Sequence, residues 1–218
     1  MKNQKIVLSL ILVLVLAFVA AVYFYNKSQS DKLSMLSKEN AMLFKRNYSF
    51  TIGDDNAKVQ LVEFFDPACE TCASFHPYIK QILKENKDDI QLVLRYAPFH
   101  NGSYKVVTML EAVRKQDMYL ETLELMFKIQ PYWASHGTPH LNVLWKALDD
   151  LGLDMEQLTK DMNSSEIKRR IDQDIEDGLV LGANKTPSYY VNGRPLQQFG
   201  LKQLKNLIKE ELDKKAQR

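Results

Sequence analysis

Cysteine is scarce in this chain of 218 residues, which contains only two. The pair is separated by two residues in the segment Cys69-Glu70-Thr71-Cys72. Stabilisation by a disulfide grows with the loop that the bond closes, so a bond across this short segment would contribute little to folding. The low count argues against a disulfide-stapled scaffold and a four-cysteine zinc site, and the spacing indicates redox chemistry.

The chain also lacks a strong excess of charge of either sign. Lys and Arg number 29 against 27 Asp and Glu, and only Lys2 and Lys5 precede residue 26 among all of these. The body that follows therefore carries no formal net charge. Neither this balance nor any internal repeat indicates a nucleic-acid-binding protein.

Charged residues are absent from the stretch Ile6 to Tyr25, which is apolar over 20 residues except for Ser9. A helix of that length spans roughly 30 Å, the thickness of the hydrocarbon core of a membrane. We therefore predict a transmembrane or signal-anchor segment over residues 1–25. Lys2 and Lys5 favour a cytoplasmic N-terminus, although Lys27 on the other side weakens that bias.

A cleavable signal peptide is the alternative interpretation of the same stretch. Val19-Ala20-Ala21 offers small residues where a peptidase would cut, and cleavage would leave a soluble periplasmic protein. The apolar run exceeds the usual signal-peptide core of about 7 to 15 residues and continues to Tyr25. We therefore favour an uncleaved anchor in the cytoplasmic membrane, with the body in the periplasm or another extracytoplasmic space, where disulfides persist.

Residues 26–48 read as a linker with a short amphipathic helix that begins after a cap at Ser30 or Asp31. Its apolar positions are Leu33, Leu36, Met42 and Leu43. One interpretation is a spacer that docks on its own domain. The other is a self-association seam that forms a homo-oligomer, because Leu36 and Leu43 repeat at seven residues.

The body begins with a strand, a helix and a second strand. Val59 to Phe65 is a β-branched and aromatic run typical of a strand buried on both faces, and Ile90 to Tyr96 is a second. Between them, Cys69 to Asn86 reads as a helix that Pro77 should kink. This order predicts a βαβ unit with a right-handed crossover.

Helical periodicity then runs from about Ser103 to Leu181, and the chain returns to strand-like sequence at Ser188–Val191. Asn192-Gly193 between short apolar runs predicts a β-hairpin, and a final helix follows from about Gly200 to Lys215. We therefore predict an α/β protein with an inserted all-helical subdomain. The expected units are 49–101 and 184–218 for the α/β part and 102–183 for the insertion.

The order of the two cysteines predicts their roles. A thiol at a helix N-terminus faces unpaired N–H groups that favour the thiolate, so Cys69 is the expected nucleophile. Cys72 lies one turn further along the same helix face. It is placed to attack a mixed disulfide at Cys69 and release the partner.

Several segments together resemble the DsbA-type thiol:disulfide interchange proteins, which have a thioredoxin-like fold with a helical insertion. Glu63 stands six residues before Cys69, and the other matching segments are Gly53-Asp54-Asp55-Asn56-Ala57, Cys69 to Cys72, Phe75-His76-Pro77 and Lys185 to Gly193. The likeness covers about residues 49–212. It implies a protein thiol:disulfide oxidoreductase, either an oxidase or an isomerase.

The resemblance also implies roles for residues beside the cysteines. Pro187 should follow a cis peptide bond next to the disulfide, and the Thr186 backbone should pair with an extended substrate; the alternative is a trans proline that opens an edge strand. Glu63 matches a buried acid that exchanges a proton with Cys72, and the alternative is a surface pair with a lysine.

The resemblance further implies that the disulfide of Cys69 and Cys72 is the working group and that no other cofactor is needed. The expected partners are exported polypeptides with cysteines and a membrane redox protein. An oxidase would be reoxidised by a DsbB-like, quinone-linked protein. An isomerase or reductase would be kept reduced by a thiol-delivering one.

The dipeptide Glu70-Thr71 departs from the Pro-His of the best-known DsbA-type oxidase. Histidine donates to the thiolate, whereas an ionised Glu70 repels it. We therefore expect Cys69 to be less acidic, and the disulfide less oxidising, than in that oxidase.

Two other classes of function remain open at this point. One is a copper or zinc carrier that uses Cys69, Cys72 and His76, which at i, i+3 and i+7 share a helix face. The other is a non-catalytic chaperone with the same fold. His100, His136 and His140 show no ligand spacing and receive no role.

Overall fold

The computed structural model describes residues 2–39, 41–134 and 139–216, and side chains over 10–29, 42–134 and 139–214. The helices are α1 Lys2–Glu39, α2 Ala41–Phe44, α3 Glu70–Glu85, α4 Ser103–Val113, α5 Tyr119–Lys128, α6 Gln130–Trp133, α7 Leu141–Asp150, α8 Met155–Met162, α9 Ser165–Leu181 and α10 Leu201–Ala216, with a 3-10 turn at Arg114–Gln116. The strands are β1 Phe50–Ile52, β2 Val59–Phe65, β3 Ile90–Tyr96, β4 Ser188–Val191 and β5 Arg194–Pro195.

The five strands form one mixed sheet in the order β1-β3-β2-β4-β5. The central strands β2 and β3 are parallel, with Val59 opposite Ile90 and Phe65 opposite Tyr96. The remaining neighbours are antiparallel. Every residue of β3 is buried, and β2 is buried except for a partly exposed Gln60. The predicted βαβ unit is confirmed, because continuous apolar runs suit strands that are covered on both faces.

Strand β1 was not predicted from the sequence. Its three residues pair with β3, with Phe50 opposite Leu94. The Phe50 ring stacks on Tyr119 at a centroid distance of 4.0 Å, and the Arg114 guanidinium lies 5.5 Å from the Phe50 ring centroid. Contacts with residues more than 40 positions away hold this edge strand in place, so its short sequence carries little local signal.

The N-terminal helix differs from the expected arrangement. Helix α1 runs without a break through residue 39, so the separate helix expected after a cap at Ser30 or Asp31 is wrong. No Gly or Pro occurs in α1, so no helix-breaking residue separates the apolar part from the polar part that follows. Leu10–Gln29 is apolar and long enough to cross a membrane, and none of it is buried against the protein.

The proposed self-association seam is only partly visible in the structure. The side chains of Leu33 and Leu36 lie outside the described residues. Leu43 packs against the small apolar cluster that contains Phe44, whereas Met42 is 65% exposed.

The predicted hairpin is confirmed at Asn192-Gly193. Both residues have positive φ angles, 47° and 78°, as a two-residue turn that follows the strand twist requires. The Asn192 side chain also accepts a hydrogen bond from the Gln60 backbone N–H at 2.9 Å. The turn therefore ties β4 to the central strand β2.

A buried ion cluster joins the helices between β3 and β4 to the sheet. Arg95 in β3 is fully buried and lies 2.8 Å from Asp174 and 2.6 Å from Asp177, both in α9. Arg46 contacts Asp177 at 2.6 Å, so two positive charges face two negative ones. Asp174 also accepts the Tyr96 backbone N–H at 2.9 Å. Removing one partner would leave a buried carboxylate without its counter-charge.

We predict that Arg95→Met destabilises the protein by about 3 to 5 kcal/mol, since it leaves Asp174 buried and unpaired. Urea unfolding of the full chain in detergent, followed by tryptophan fluorescence, measures the change. The control Lys160→Met removes an exposed pair with Glu156 and should cost less than about 1 kcal/mol. Equal effects of the two substitutions would contradict a structural role for the cluster.

Candidate active site

Cys69 occupies the N-cap position of α3, immediately after the loop that leaves β2. Its Sγ accepts a hydrogen bond from the Cys72 backbone N–H at 3.4 Å. Its own N–H donates to the Asp66 carbonyl at 3.0 Å, which fixes the loop before the helix. The sulfur therefore stands where the first-turn amides of the helix are unpaired, as predicted.

This position makes the Cys69 thiol acidic. Its pKa falls from 9.0 to about 5, chiefly because the Cys72 thiol donates a hydrogen bond to it. Burial opposes the shift, whereas Thr186 and the backbone N–H groups of Cys72 and Thr71 add to it. Glu70, which we expected to repel the thiolate, has an exposed side chain. Solvent screens much of its charge.

Cys72 is the opposite case, although it is only one helical turn away. It is fully buried, and burial is the main cause that raises the pKa of its thiol; the hydrogen bond to Cys69 and the charge of Glu63 act in the same direction. Both cysteines are free thiols in the structure. At neutral pH the pair therefore consists of one thiolate and one protonated thiol.

Glu63 lies in β2 and is only 4% exposed, so the alternative of a surface pair with a lysine is wrong. Burial raises the pKa of its carboxyl from 4.5 to about 7, and the neighbouring charge of Cys69 adds to the shift. The Tyr189 hydroxyl opposes this shift by donating a hydrogen bond to Glu63 at 3.0 Å.

Tyr189 was missed as a site residue in the sequence analysis. The antiparallel register of β2 and β4 places it directly opposite Glu63. Its position two residues after Pro187 is a local signal, but only the strand pairing identifies its partner. Its hydroxyl is the group that keeps the Glu63 pKa near neutrality rather than higher.

The peptide bond between Thr186 and Pro187 is cis, as the resemblance implied. The Thr186 carbonyl lies 3.3 Å from the Cys69 Sγ and accepts a hydrogen bond from it when the thiol is protonated. Pro187 is buried, and Thr186 is partly exposed. The segment thus lies beside the reactive sulfur.

An open cavity of about 570 Å³ gives access to the Cys69 side of this arrangement. Its lining includes Cys69, Glu70, Thr71, His100, Lys185 and Thr186. Cys72 and Glu63 are not part of this lining, and both are buried. The cavity therefore presents one of the two sulfurs, although only 5% of the Cys69 surface is exposed.

The expected candidate for metal binding, His76, does not join the cysteines. Its ring lies 5.0 Å from that of Phe127, its Nε2 has no hydrogen-bond partner, and burial lowers its pKa. Within the described residues, no three His, Cys, Asp or Glu side chains form a group that could hold a metal ion. His140 is exposed, and His136 lies outside the described residues.

Residues 45–210 match the family model described as thioredoxin. Among curated relatives, a Na(+)/H(+) antiporter NhaA of Herminiimonas arsenicoxydans is 28% identical over 66% of this chain. This chain spans only 22% of the length of that antiporter. A probable disulfide bond formation protein D of Bacillus anthracis is also 28% identical. That match covers 97% of this chain and 98% of the relative.

Among solved structures, a thioredoxin-like oxidoreductase from Silicibacter pomeroyi DSS-3 superposes with a TM-score of 0.69 at 25% identity. The match covers 78% of this chain and 96% of the other. The expected fold class, a thioredoxin-like α/β fold with additional helices, is confirmed, as is the resemblance to DsbA-type proteins.

We predict that Glu63→Gln changes how stability depends on pH. The pKa of Glu63 is higher in the folded protein than in the unfolded chain, so its protonated form does not lower the stability of the fold. As the pH rises from 4.5 to about 7, ionisation of Glu63 progressively destabilises the fold. The variant, which cannot ionise there, should gain roughly 3 kcal/mol relative to the wild type between pH 4 and pH 8. Urea unfolding at the two pH values measures this difference.

The matched control is Glu85→Gln at the exposed end of α3. It should leave the pH profile of stability unchanged, because the charge of Glu85 is solvated in both states. If Glu63→Gln also left the profile unchanged, Glu63 would not be an acid with a raised pKa.

Proposed function

Since this chain belongs to the thioredoxin family, whose model it matches over residues 45–210, we propose that it is an extracytoplasmic thiol:disulfide oxidoreductase. It forms or rearranges disulfide bonds in exported proteins by thiol–disulfide exchange at Cys69 and Cys72. The observation that carries the proposal is the pairing of an acidic thiol at a helix tip with a buried, protonated one a turn away. A chain of similar length named as a disulfide bond formation protein supports it.

Exchange proceeds in two steps when the protein starts with the Cys69–Cys72 disulfide. A substrate thiolate attacks the Cys69 Sγ, the bond between the cysteines breaks, and Cys72 leaves with the electron pair. A second substrate thiolate then attacks the substrate sulfur of the mixed disulfide, and Cys69 leaves as a thiolate. The substrate gains a disulfide and the protein ends with two reduced cysteines. The redox-active disulfide thus serves as the protein's own cofactor.

Glu63 supplies the proton that the first step requires. Cys72 leaves as a thiolate in a buried place that strongly disfavours the charge, so it must be protonated. A carboxyl with a pKa of about 7 is protonated in a large fraction of molecules at neutral pH and can return to that state. In the reverse direction Glu63 accepts the proton when Cys72 attacks. Tyr189 keeps the carboxyl oriented between these states.

Substrate recognition is assigned to the rim of the cavity. Thr186 offers its backbone to an extended substrate segment, and Pro187 holds that backbone against Cys69. Glu70 and Thr71 lie next to the reactive sulfur and face the same cavity. An extended polypeptide is the substrate that this edge suits, because backbone pairing is independent of its sequence.

We propose that the N-terminal helix anchors the protein in a membrane. We assign Leu10–Gln29 as the single span, with the catalytic domain on the extracytoplasmic side. In this position the protein meets exported polypeptides as they emerge. It also meets a membrane redox partner, either DsbB-like or thiol-delivering, that restores its working state.

The acidity of Cys69 bears on the direction of electron flow. A pKa of about 5 lies between the values of about 7 in thioredoxin and about 3.5 in DsbA. A lower nucleophile pKa stabilises the reduced form and makes the disulfide more oxidising. We therefore propose a weaker oxidant than DsbA.

We predict that Cys72→Ser traps substrates, because Cys72 can no longer attack a mixed disulfide at Cys69 and release the substrate. Non-reducing electrophoresis of the tagged full chain from cells should show covalent adducts with exported proteins that reductant removes. Cys69→Ser is the matched control and should show none, since the remaining thiol is buried and protonated. Equal adducts in both variants, or none in either, would contradict the proposed function.

We also predict a reduction potential between about −270 mV, as in thioredoxin, and about −120 mV, as in DsbA. Equilibration of the purified protein with glutathione buffers measures it. A potential at or above the DsbA value would contradict the weaker-oxidant proposal. Alkylation of the thiols in living cells then distinguishes an oxidase, which is mostly oxidised, from an isomerase or reductase, which is mostly reduced.

A further inference from the structure

His100, which received no role in the sequence analysis, lies in the active-site cavity. Its side chain is 49% exposed and lines the same cavity as Cys69. The segment that carries it follows β3 and precedes α4, so the parallel pairing of β2 and β3 brings it to the sheet end where Cys69 stands. This is the edge at which an incoming substrate thiol must approach the reactive sulfur.

A buried carboxylate holds His100 in place. Asp66 has a fully buried side chain, and its Oδ2 lies 2.8 Å from the His100 Nδ1 and accepts the His100 backbone N–H at 3.0 Å. Its Oδ1 accepts the Ala68 N–H at 2.8 Å, and its carbonyl accepts the Cys69 N–H. Asp66 thus connects the loop that carries the nucleophile to the loop that carries the histidine.

These contacts determine which nitrogen of His100 is available. A carboxylate only accepts hydrogen bonds, so the Nδ1 donates to Asp66, and the Nε2 has no hydrogen-bond partner among the described residues. Among ion pairs of the described residues, Asp66 takes part only in the one with His100. A positive charge on the ring would therefore be compensated by a buried negative charge beside it.

Among the described residues, three other charged groups line this cavity. They are Glu70 in α3, Lys185 in the segment before the cis bond, and the Cys69 thiolate. A flexible exposed lysine is a diffuse charge, whereas the His100 ring is held at a fixed position by two hydrogen bonds. Among the described residues that line the cavity, His100 thus presents a ring nitrogen at a fixed position that can accept a proton.

We propose that His100 is a catalytic residue that removes the proton from the incoming substrate thiol, with Asp66 as the positioning residue that holds the ring. This proposal rests on the proposed function. The S–H bond of the substrate breaks, its proton goes to the His100 Nε2, and the thiolate attacks the Cys69 Sγ of the disulfide as Cys72 leaves. His100 then releases the proton to solvent. In the reverse direction, protonated His100 donates to the substrate thiolate that leaves.

The size of the effect follows from the ionisation of an ordinary thiol. With a pKa of about 8.5, roughly 3% of a substrate thiol is ionised at pH 7. Complete ionisation by a nearby base would accelerate the attack by at most about 30-fold. At pH 9 most of the thiol is already ionised, so the base brings almost no gain.

The test compares the full-length wild type, His100→Gln and Asp66→Asn in detergent, each in the oxidised form. A peptide with a single cysteine is the probe, and the second-order rate of its reaction with the disulfide is measured from pH 6 to pH 9.5. We expect His100→Gln to be slower by about 10- to 30-fold at pH 7 and equal to the wild type at pH 9.5. Asp66→Asn should show the same pH signature with a smaller loss.

His140→Gln is the matched control, because His140 is exposed and is not among the residues that line the cavity. It should follow the wild-type profile throughout. Circular dichroism checks that the variants are folded, and the thiolate absorbance of the reduced proteins gives the Cys69 pKa. We expect that pKa to be unchanged in His100→Gln.

Two outcomes would overturn the proposal. One is a wild-type rate profile in both His100→Gln and Asp66→Asn. The other is a loss that persists at pH 9.5, or a shift of the Cys69 pKa that accounts for it, since the histidine would then act on the nucleophile or on the structure. A wild-type protein that does not react with the peptide at all would instead contradict the proposed function.

Discussion

The chemistry of this protein depends on one constraint, the placement of a sulfur at the unpaired first turn of α3. Two cysteines with the same intrinsic pKa differ in protonation because of this placement: Cys69 is a thiolate and Cys72 a protonated thiol. Cys69 accepts hydrogen bonds from the Cys72 thiol and from first-turn amides, whereas Cys72 is fully buried beside the charge of Glu63. Hydrogen bonds to a charged form lower a pKa and desolvation of that form raises it, so a single helical turn divides the two roles.

Strand β2 supports this arrangement by supplying two carboxylates in different surroundings. Glu63 lies within the strand, where burial raises the pKa of its carboxyl to about 7. Asp66 follows the strand, and its side chain accepts three hydrogen bonds, from the backbone N–H groups of Ala68 and His100 and from the His100 ring. Glu63 thus lies inside the fold, whereas Asp66 fixes the segment with His100 that lines the cavity.

The remaining strands and helices hold these groups at fixed positions. Strand β4 brings Tyr189 opposite Glu63 and, just before it, the cis bond beside Cys69. The Arg95 cluster fixes α9 against β3, and the segment after β3 carries His100 to the cavity. Exchange reactions depend on groups held in a fixed arrangement, which a rigid sheet provides.

The sequence by itself determined the features that depend on residue types and spacing over a few neighbouring positions. The two buried strands, the Asn192-Gly193 turn and the order of the cysteines follow from residue types and spacing within a few positions. The continuous α1 shows the limit of this reasoning, because a change from apolar to polar residues does not end a helix that contains no breaker.

Only the tertiary structure decided which distant residues share the site. Tyr189 meets Glu63 across 126 positions, and His100 meets Asp66 across 34. Neither residue carries a local signal of its partner, because strand register and the parallel crossover, rather than spacing along the chain, bring them together. The edge strand β1 and the buried Arg95 depend on the same long-range contacts, and they were invisible in the sequence for the same reason.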